Sequence, residues 1–320
     1  MSKIAITGGA GFIGYHLIKS LADAGHQVCS FDNFNDYYDV DLKRTRGQST
    51  LKMMNVDVEM VDLKDKEGVL GFIKYHKPDM VIHLGAYAGV RHSLKDPSLY
   101  INNNIIGTQN LIDACEEVGV ESVIYASTSC TMAGNQLPWN EDDNTSHQLN
   151  PYGYSKSTNE CQFMSSGLTN AIGLRFFTVY GPWGRPDMAL FDFTKKIIAD
   201  EPITLFNNGD MVRDFTYIDD IVAGINIIIT HCLENTIPKK KDIYNIGYGD
   251  KIPLMKFVEL IEENLGRKAT KEFVPMHPAD AQTTWSDTTK LQSLGYKPTT
   301  PISVGVEKFV TWYKGYYNVN

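Results

Sequence analysis

The chain has little cysteine to work with: Cys29, Cys115, Cys130, Cys161 and Cys232, five in 320 residues. They are odd in number and widely scattered, which excludes a disulfide framework and a zinc-ligand spacing and fits a reduced, cytoplasmic setting. Long apolar runs are missing too. INIII, the longest of its kind, falls far short of the roughly 20 residues a membrane-spanning helix needs, and the start, MSKIAITGG, carries no apolar signal region. No membrane partner is expected. Basic charge is in deficit, with a net charge of −8, so there is no electrostatic footprint for nucleic acid. An anionic ligand has to be held by local groups rather than by the overall field. Repeats and low-complexity tracts are absent, and PKKKD around Lys239 reads as a solvated loop.

What is present is a globular composition, 42% apolar and 21% charged, in a chain long enough for one or two domains. Short apolar runs alternate with amphipathic stretches. KIAIT, QVCSFD, VEMVD, MVIHLG and SVIYA read as strands. FIGYHLIKSLADAG, stopped by Gly25, and NNNIIGTQNLIDACEEVG read as helices. Continuous apolar strands separated by helices predict a parallel sheet covered on both faces. The fold class expected is therefore α/β, a doubly wound (Rossmann) parallel sheet with a smaller C-terminal α/β substrate domain. Beyond Gly173 the texture changes. GLRFFTVYG still reads as a core strand, GPWGRPDM as an irregular loop, and PITLFNNGDMVRDFTYIDD and KDIYNIGYGDKI as alternations. LMKFVELIEENLG and ISVGVEKFVTWYKGYY then read as helices. The expected division is residues 1–172 for a dinucleotide-binding domain, its sheet completed by later strands, and 173–320 for an interleaved second domain. With no flexible linker between them, the two parts are expected to share a cleft.

TGGAGFIG places Gly8, Gly11 and Gly14 directly after KIAIT and at the start of a helix. Gly8 permits the tight turn, Gly11 a close backbone approach to a pyrophosphate, and Gly14 close packing of helix on strand. The helix N-terminus offers free N–H groups and positive dipole to phosphates. Asp32 closes the second strand. A carboxylate there accepts both ribose hydroxyls of NAD and repels a 2′-phosphate, so NAD is the expected cofactor.

With these residues in place the chain resembles the extended short-chain dehydrogenase/reductases, in their nucleotide-sugar branch. The glycine spacing is that family's GxxGxxG. Phe12 and Ile13 lie inside it, and FDNFNDYYDVDLKRTR, with Asn33, Asn35 and Lys43, resembles the adenosine-ribose loop. Asp62 and Leu63 fall where the family contacts adenine. HLGAYAGVRHS, with Leu84, Ala86 and Arg91, resembles the loop beside cofactor and sugar. Asn104 keeps the family spacing, and NPYGYSK carries Tyr152 and Lys156. Arg213, in RDFTYIDD, and Asp280, in PMHPAD, resemble the nucleotide-binding positions. The resemblance implies a UDP-sugar substrate, with Arg213 on its diphosphate and Asp280 on its uridine ribose, and a homodimer formed by two helices per subunit.

Tyr152 and Lys156 lie one helical turn apart and share a face. A phenol near its usual pKa of about 10 is a poor base at neutral pH. A neighbouring ammonium favours the phenolate, and so does the positive nicotinamide ring of NAD, so Lys156 and the cofactor are expected to activate Tyr152, with Lys156, by the resemblance, also holding the nicotinamide ribose. Tyr154, facing away, is rejected as the base. The run STSCTMAGN, from Ser127 to Asn135, then reads two ways: an ST-rich turn, or a site at the carboxyl end of a strand. The resemblance puts Thr128 on the reacting sugar hydroxyl. The family's 4,6-dehydratases follow this threonine with an Asp-Glu pair, and its UDP-glucuronate decarboxylases place a Glu close after it. Here Ser129 and Cys130 follow, which leaves reversible oxidation at one carbon.

Ser129 and Thr178 are neutral donors that suit a sugar carboxylate, and Arg185, in GPWGRPDM, adds a cation. HLGAYAGVRHS and GPWGRPDMALFDF most resemble UDP-glucuronate 4-epimerases; Cys130 and Met132 depart from that group, which carries Ser and Tyr there. The reading is thus NAD-dependent 4-epimerisation of UDP-glucuronate to UDP-galacturonate through transient oxidation at C4. An epimerase of neutral UDP-hexoses, a UDP-glucuronate decarboxylase and a non-catalytic dinucleotide-binding regulator stand beside it as alternatives.

Overall fold

Strand runs that are apolar at every position need cover on both faces, and the computed structural model, which describes residues 1–319, supplies it. The strands β1 (Lys3–Thr7), β2 (Gln27–Asp32), β3 (Val58–Met60), β4 (Met80–His83), β5 (Ser122–Thr128) and β6 (Asn170–Phe176) join an edge strand, Lys241–Ile246, in one seven-stranded sheet. Its order is edge strand, β6, β5, β4, β1, β2, β3, with every pair parallel. Alternate residues feed two separate cores. Ile4, Ile6, Ile82, Ile124 and Ile172 pack on one face with Leu17, Ile18 and Leu21 of the helix Phe12–Asp23. Ala5, Val81, Val123 and Ala171 pack on the other with Phe72, Ile112 and Phe163. This is the doubly wound α/β fold the sequence predicts.

The order reverses at β1, which pairs with β2 on one side and β4 on the other. In open α/β sheets a ligand crevice lies outside the carboxyl ends of the strands at such a point. The polar stretches after β1, β2, β4 and β5 all emerge there.

The second half differs in detail from its pattern. GLRFFTVYG is two strands rather than one. β6 stops at Phe176, and Thr178–Tyr180 pairs instead with Phe215–Tyr217, away from the large sheet. Ile203–Leu205 pairs with Lys271–Phe273, and Val212–Arg213 with Ile252–Pro253. The helices Ala189–Ile198, Leu254–Leu265 and Ile302–Tyr317 close over these pairs. KDIYNI returns to the large sheet as its edge strand, and the 172/173 position falls inside β6. VEMVD forms a strand only over Val58–Met60.

The helix Pro151–Ser165 starts where it must for Tyr152 to reach the crevice. Asn150 caps it, its side chain accepting the Gly153 N–H (2.8 Å), and Pro151 opens the first turn, where a missing N–H costs nothing. Among the described residues, no helix is long and apolar enough to cross a membrane.

Candidate active site

A cleft of about 1000 Å³ runs along the carboxyl ends of the strands. At one end the glycine turn forms its floor. Gly8 has φ +74°, and its N–H donates to Phe31 O (2.8 Å). A β-carbon on Gly14 would lie 2.3 Å from Gly8 O, and one on Gly11 2.9 Å from the same atom, so neither position admits a side chain. Phe12 and Ile13 complete this wall. Asp32 ends β2 with one carboxylate oxygen accepting from Phe34 N (2.8 Å) and the other from Ala10 N (3.2 Å). Burial raises its pKa, and these two donors and the Lys43 and Arg46 cations oppose that.

Around Asp32 the polar loop is tied together by side chains. Lys43 donates to the Asn35 backbone carbonyl (2.6 Å) and side-chain oxygen (2.8 Å), and Asn33 donates to Asp62 (3.1 Å). Burial pulls the Lys43 ammonium down to about 8. Leu63, Leu84 and Ala86 line the cleft beside this loop. His83 lies beneath it. Its ring nitrogens meet the Thr7 and Thr108 hydroxyls at 2.8 and 2.9 Å, and burial lowers its pKa to about 3, so it is a neutral structural pin.

Thr128 and Tyr152 come together mid-cleft, from the end of β5 and the first turn of the helix. The geometry adds detail to two expectations here. Lys156 does not aim its charge at the phenol: its ammonium donates to Ala126 O (2.8 Å), and burial pulls it down to about 8. Burial also pushes the Tyr152 phenol well above its usual value, and the Thr128 hydroxyl and Arg185 pull the other way. The protein by itself holds Tyr152 neutral. The second concerns Asn104, which does not line the cleft. It is 1% exposed, and its amide is consumed by Tyr87 N and O and by Ser155 Oγ. It fixes the loop after β4 to the helix Pro151–Ser165.

Ser129 and Thr178 face the cleft, and neither hydroxyl makes a hydrogen bond within the described residues. Cys130 lies on the same wall, its thiol pushed up by burial, while Met132 is fully buried with Trp139 and Phe177. The cations at this end are all engaged. Arg185 binds Asp187 through Nε (3.0 Å) and Nη2 (2.5 Å) and also donates to Ala88 O, so its charge is met inside the protein. Arg91 pairs with Asp280 (2.7 Å) and stacks on Phe206, 3.4 Å from the ring centre. Arg213 donates to the carbonyls of Val212 (2.8 Å) and Gln282 (2.9 Å).

Sequence reasoning missed Tyr37, Tyr38 and Phe206, which also line the cleft. The doublet Tyr37-Tyr38 was visible as aromatics inside a turn-rich polar loop; Phe206 carried no signal. Arg46 was passed over too. Fully buried, it ties Tyr38 OH (2.6 Å) to Trp183 O (2.9 Å) and so joins the loop after β2 to the Pro/Gly loop.

The profile of the NAD dependent epimerase/dehydratase family matches residues 4–247. The chain belongs to this family. Among its relatives, protein CapI of Staphylococcus aureus is 41% identical, over 98% of this chain and 99% of its own length. UDP-glucuronate 4-epimerase of Thermodesulfobacterium geofontis (strain OPF15) is 37% identical, over 98% and 97%. The crystal structure of UDP-glucuronic acid 4-epimerase from Bacillus cereus, in complex with UDP-glucuronic acid and NAD, matches with a TM-score of 0.90 at 32% identity, covering 98% of this chain and 100% of that one. The epimerase/dehydratase cleft fits a dinucleotide on its own geometry. Only glycine fits the cradle, and the buried Asp32 carboxylate lines the cleft at the end of the next strand.

Proposed function

We propose that the chain is an NAD-dependent 4-epimerase that interconverts UDP-glucuronate and UDP-galacturonate. The observation that carries this reading is the middle of the cleft. Thr128 and Tyr152 stand beside two unengaged hydroxyls, Ser129 and Thr178, and the turn Ser129–Met132 holds no carboxylate. Elimination of water or carboxylate-assisted lyase chemistry asks for acids at that place; a bound carboxylate asks for neutral donors.

The glycine turn, Asp32 and Lys43 hold the adenosine diphosphate part of NAD, and Lys156 its nicotinamide ribose. When bound, NAD supplies reversible hydride acceptance at the sugar C4. Tyr152 removes the proton of the C4 hydroxyl, and Thr128 shares that proton and orients the oxygen. Because burial holds the phenol neutral, ionisation of Tyr152 belongs to the loaded cleft, where added positive charge lowers a phenol's pKa. Ser129 and Thr178 donate to the C6 carboxylate. Arg185, neutralised by Asp187, fastens its loop to Ala88 rather than serving as the main counter-ion. Arg213 and Asp280 take the uridine diphosphate, with Arg91 orienting Asp280.

The working form proposed is a cytoplasmic homodimer. Exposed Ile101, Ile106 and Met164, on and beside the two helices Gly107–Val118 and Pro151–Ser165, support a helix-mediated contact, and the scattered cysteines suit a reduced compartment. Incubation with UDP-glucuronate followed by proton NMR of the products tests the assignment. UDP-galacturonate without release of CO₂ is the expected outcome. A pentose product would make the chain a decarboxylase, and no turnover at all would leave the regulator alternative.

A further inference from the structure

Beneath Tyr152 and Lys156 lies a buried ion pair with no part in the proton transfer itself. Glu160 follows Lys156 by one helical turn, and its carboxylate accepts from Ser127 Oγ (2.5 Å), Arg175 Nε (2.9 Å) and Arg175 Nη2 (2.9 Å). The side chains of Glu160 and Arg175 are 6% and 3% exposed. A buried ion pair is poor evidence for stability alone, since desolvation cancels much of its attraction. Its place is more telling. Ala126, Ser127 and Thr128 are consecutive at the end of β5. The first receives the Lys156 ammonium, the second binds Glu160, and the third stands at Tyr152.

We propose that Glu160, clamped by Ser127 and Arg175, is a positioning residue that sets the catalytic helix on β5 and keeps the buried Lys156 ammonium charged. The inference rests on the catalytic reading of Tyr152 and Lys156 above. Positions four apart on a helix are neighbours, and an anion there favours the ammonium that burial disfavours. Other titratable groups facing the helix do not replace it. His83 on β4, Tyr125 on β5, Cys130 in the turn and Tyr100 on the helix Pro97–Tyr100 are held neutral by burial. Arg175 on β6 has the same sign as Lys156, and Asp242 on the edge strand is taken by Lys290. Burial has already drawn Lys156 from its ordinary 10.5 to about 8, with Glu160 the opposing influence. Loss of the Glu160 charge therefore moves it further down.

The test compares wild type with Glu160→Gln and with Glu160→Asp, which keeps the charge. Turnover of UDP-glucuronate should fall in wild type as pH rises through the Lys156 pKa. In Glu160→Gln that alkaline limb should move to lower pH by about one unit or more, and in Glu160→Asp it should return most of the way. A second readout uses no turnover: in lysine-labelled protein, assigned with Lys156→Met, the Lys156 ammonium should titrate lower in Glu160→Gln by the same amount. An absence of epimerisation in wild type would sink the catalytic reading, while this titration still judges the role of Glu160. Should Glu160→Gln not fold, Glu160→Gln/Arg175→Met removes both charges; loss of the Arg175 cation works the other way, so the acid shift should be smaller than in Glu160→Gln but still present, because Glu160 is the influence that opposes burial at Lys156. An unmoved Lys156 titration in whichever variant folds would overturn the proposal. Failure of both variants to fold would overturn it too, in favour of a purely structural pair.

Discussion

At the cofactor end of the cleft Gly8, Asp32 and Asp62 follow β1, β2 and β3, three adjacent strands of one sheet. At the sugar end Arg91, Thr178, Arg213 and Asp280 arrive from four distant segments. The first end is a backbone device. Its turn excludes side chains, and its anion is held by two N–H groups. The second end is a side-chain device in which two cations are already matched, Arg91 with Asp280 and Arg185 with Asp187, while Arg213, among the described residues, is held by backbone carbonyls alone. Between them stand Ser129 and Thr178, neutral hydroxyls with hydrogen-bonding capacity to spare. The difference teaches where selectivity resides. On the proposed reading, the Arg185–Asp187 pair is scaffolding, and discrimination of an acid sugar falls to the hydroxyls of Ser129 and Thr178.

The largest effect should come from the junction of the two ends. Tyr152→Phe keeps the ring and loses the oxygen proposed to move the proton, so kcat should drop roughly a hundred- to ten-thousandfold with NAD content and fold unchanged. Retention of more than about a tenth of the wild-type rate would take Tyr152 out of the mechanism.

Asp32→Ala breaks the backbone end. If Asp32 accepts both hydroxyls of the adenosine ribose as proposed, two charge-assisted hydrogen bonds at roughly 1.5–3 kcal/mol each are lost, so NAD affinity should fall by about a hundredfold or more. Nucleotide released on denaturation reads this directly, and NADP as the dominant species from wild type would overturn the role of Asp32.

Ser129→Ala and Thr178→Ala probe the hydroxyls. Each should cost about ten- to a hundredfold in kcat/KM on UDP-glucuronate, and the same kinetics on UDP-glucose should barely change. Each should also release more CO₂ per epimerisation. Equal losses on both substrates would mean that these hydroxyls read no carboxylate.

The smallest effect belongs to the scaffold. Arg185→Lys keeps a cation but loses the planar two-pronged grip on Asp187. It should change the UDP-glucuronate to UDP-glucose preference by less than about threefold, as expected for a cation whose charge Asp187 already meets. A much larger shift in preference would return Arg185 to the role of direct counter-ion.

The same contrast explains what was legible in the sequence. KIAIT, TGGAGFIG and QVCSFD are local patterns, and each kept its meaning because strand, turn and helix are set by neighbours in the chain. The strand splitting at Phe176 was not legible, since what draws Thr178–Tyr180 away is its pairing with Phe215–Tyr217, far along the chain. Side-chain engagement was the other blind spot. Asn104, Arg185 and Lys156 were named from position, yet their partners, Tyr87, Asp187 and the Ala126 carbonyl, come from the fold. The hydroxyl run STSC held more than one answer. Ser127 binds Glu160, Thr128 meets Tyr152, and Ser129 faces the cleft.

The most direct test of the central claim is the fate of the hydrogen at C4. UDP-glucuronate carrying deuterium at C4 is incubated in ordinary water, and the UDP-galacturonate formed is analysed by NMR and mass spectrometry. Oxidation and reduction at a single carbon, with the hydride kept on the bound cofactor, predicts that the deuterium is retained at C4 of the product. Loss of that label to solvent, or inversion at a carbon other than C4, would contradict it.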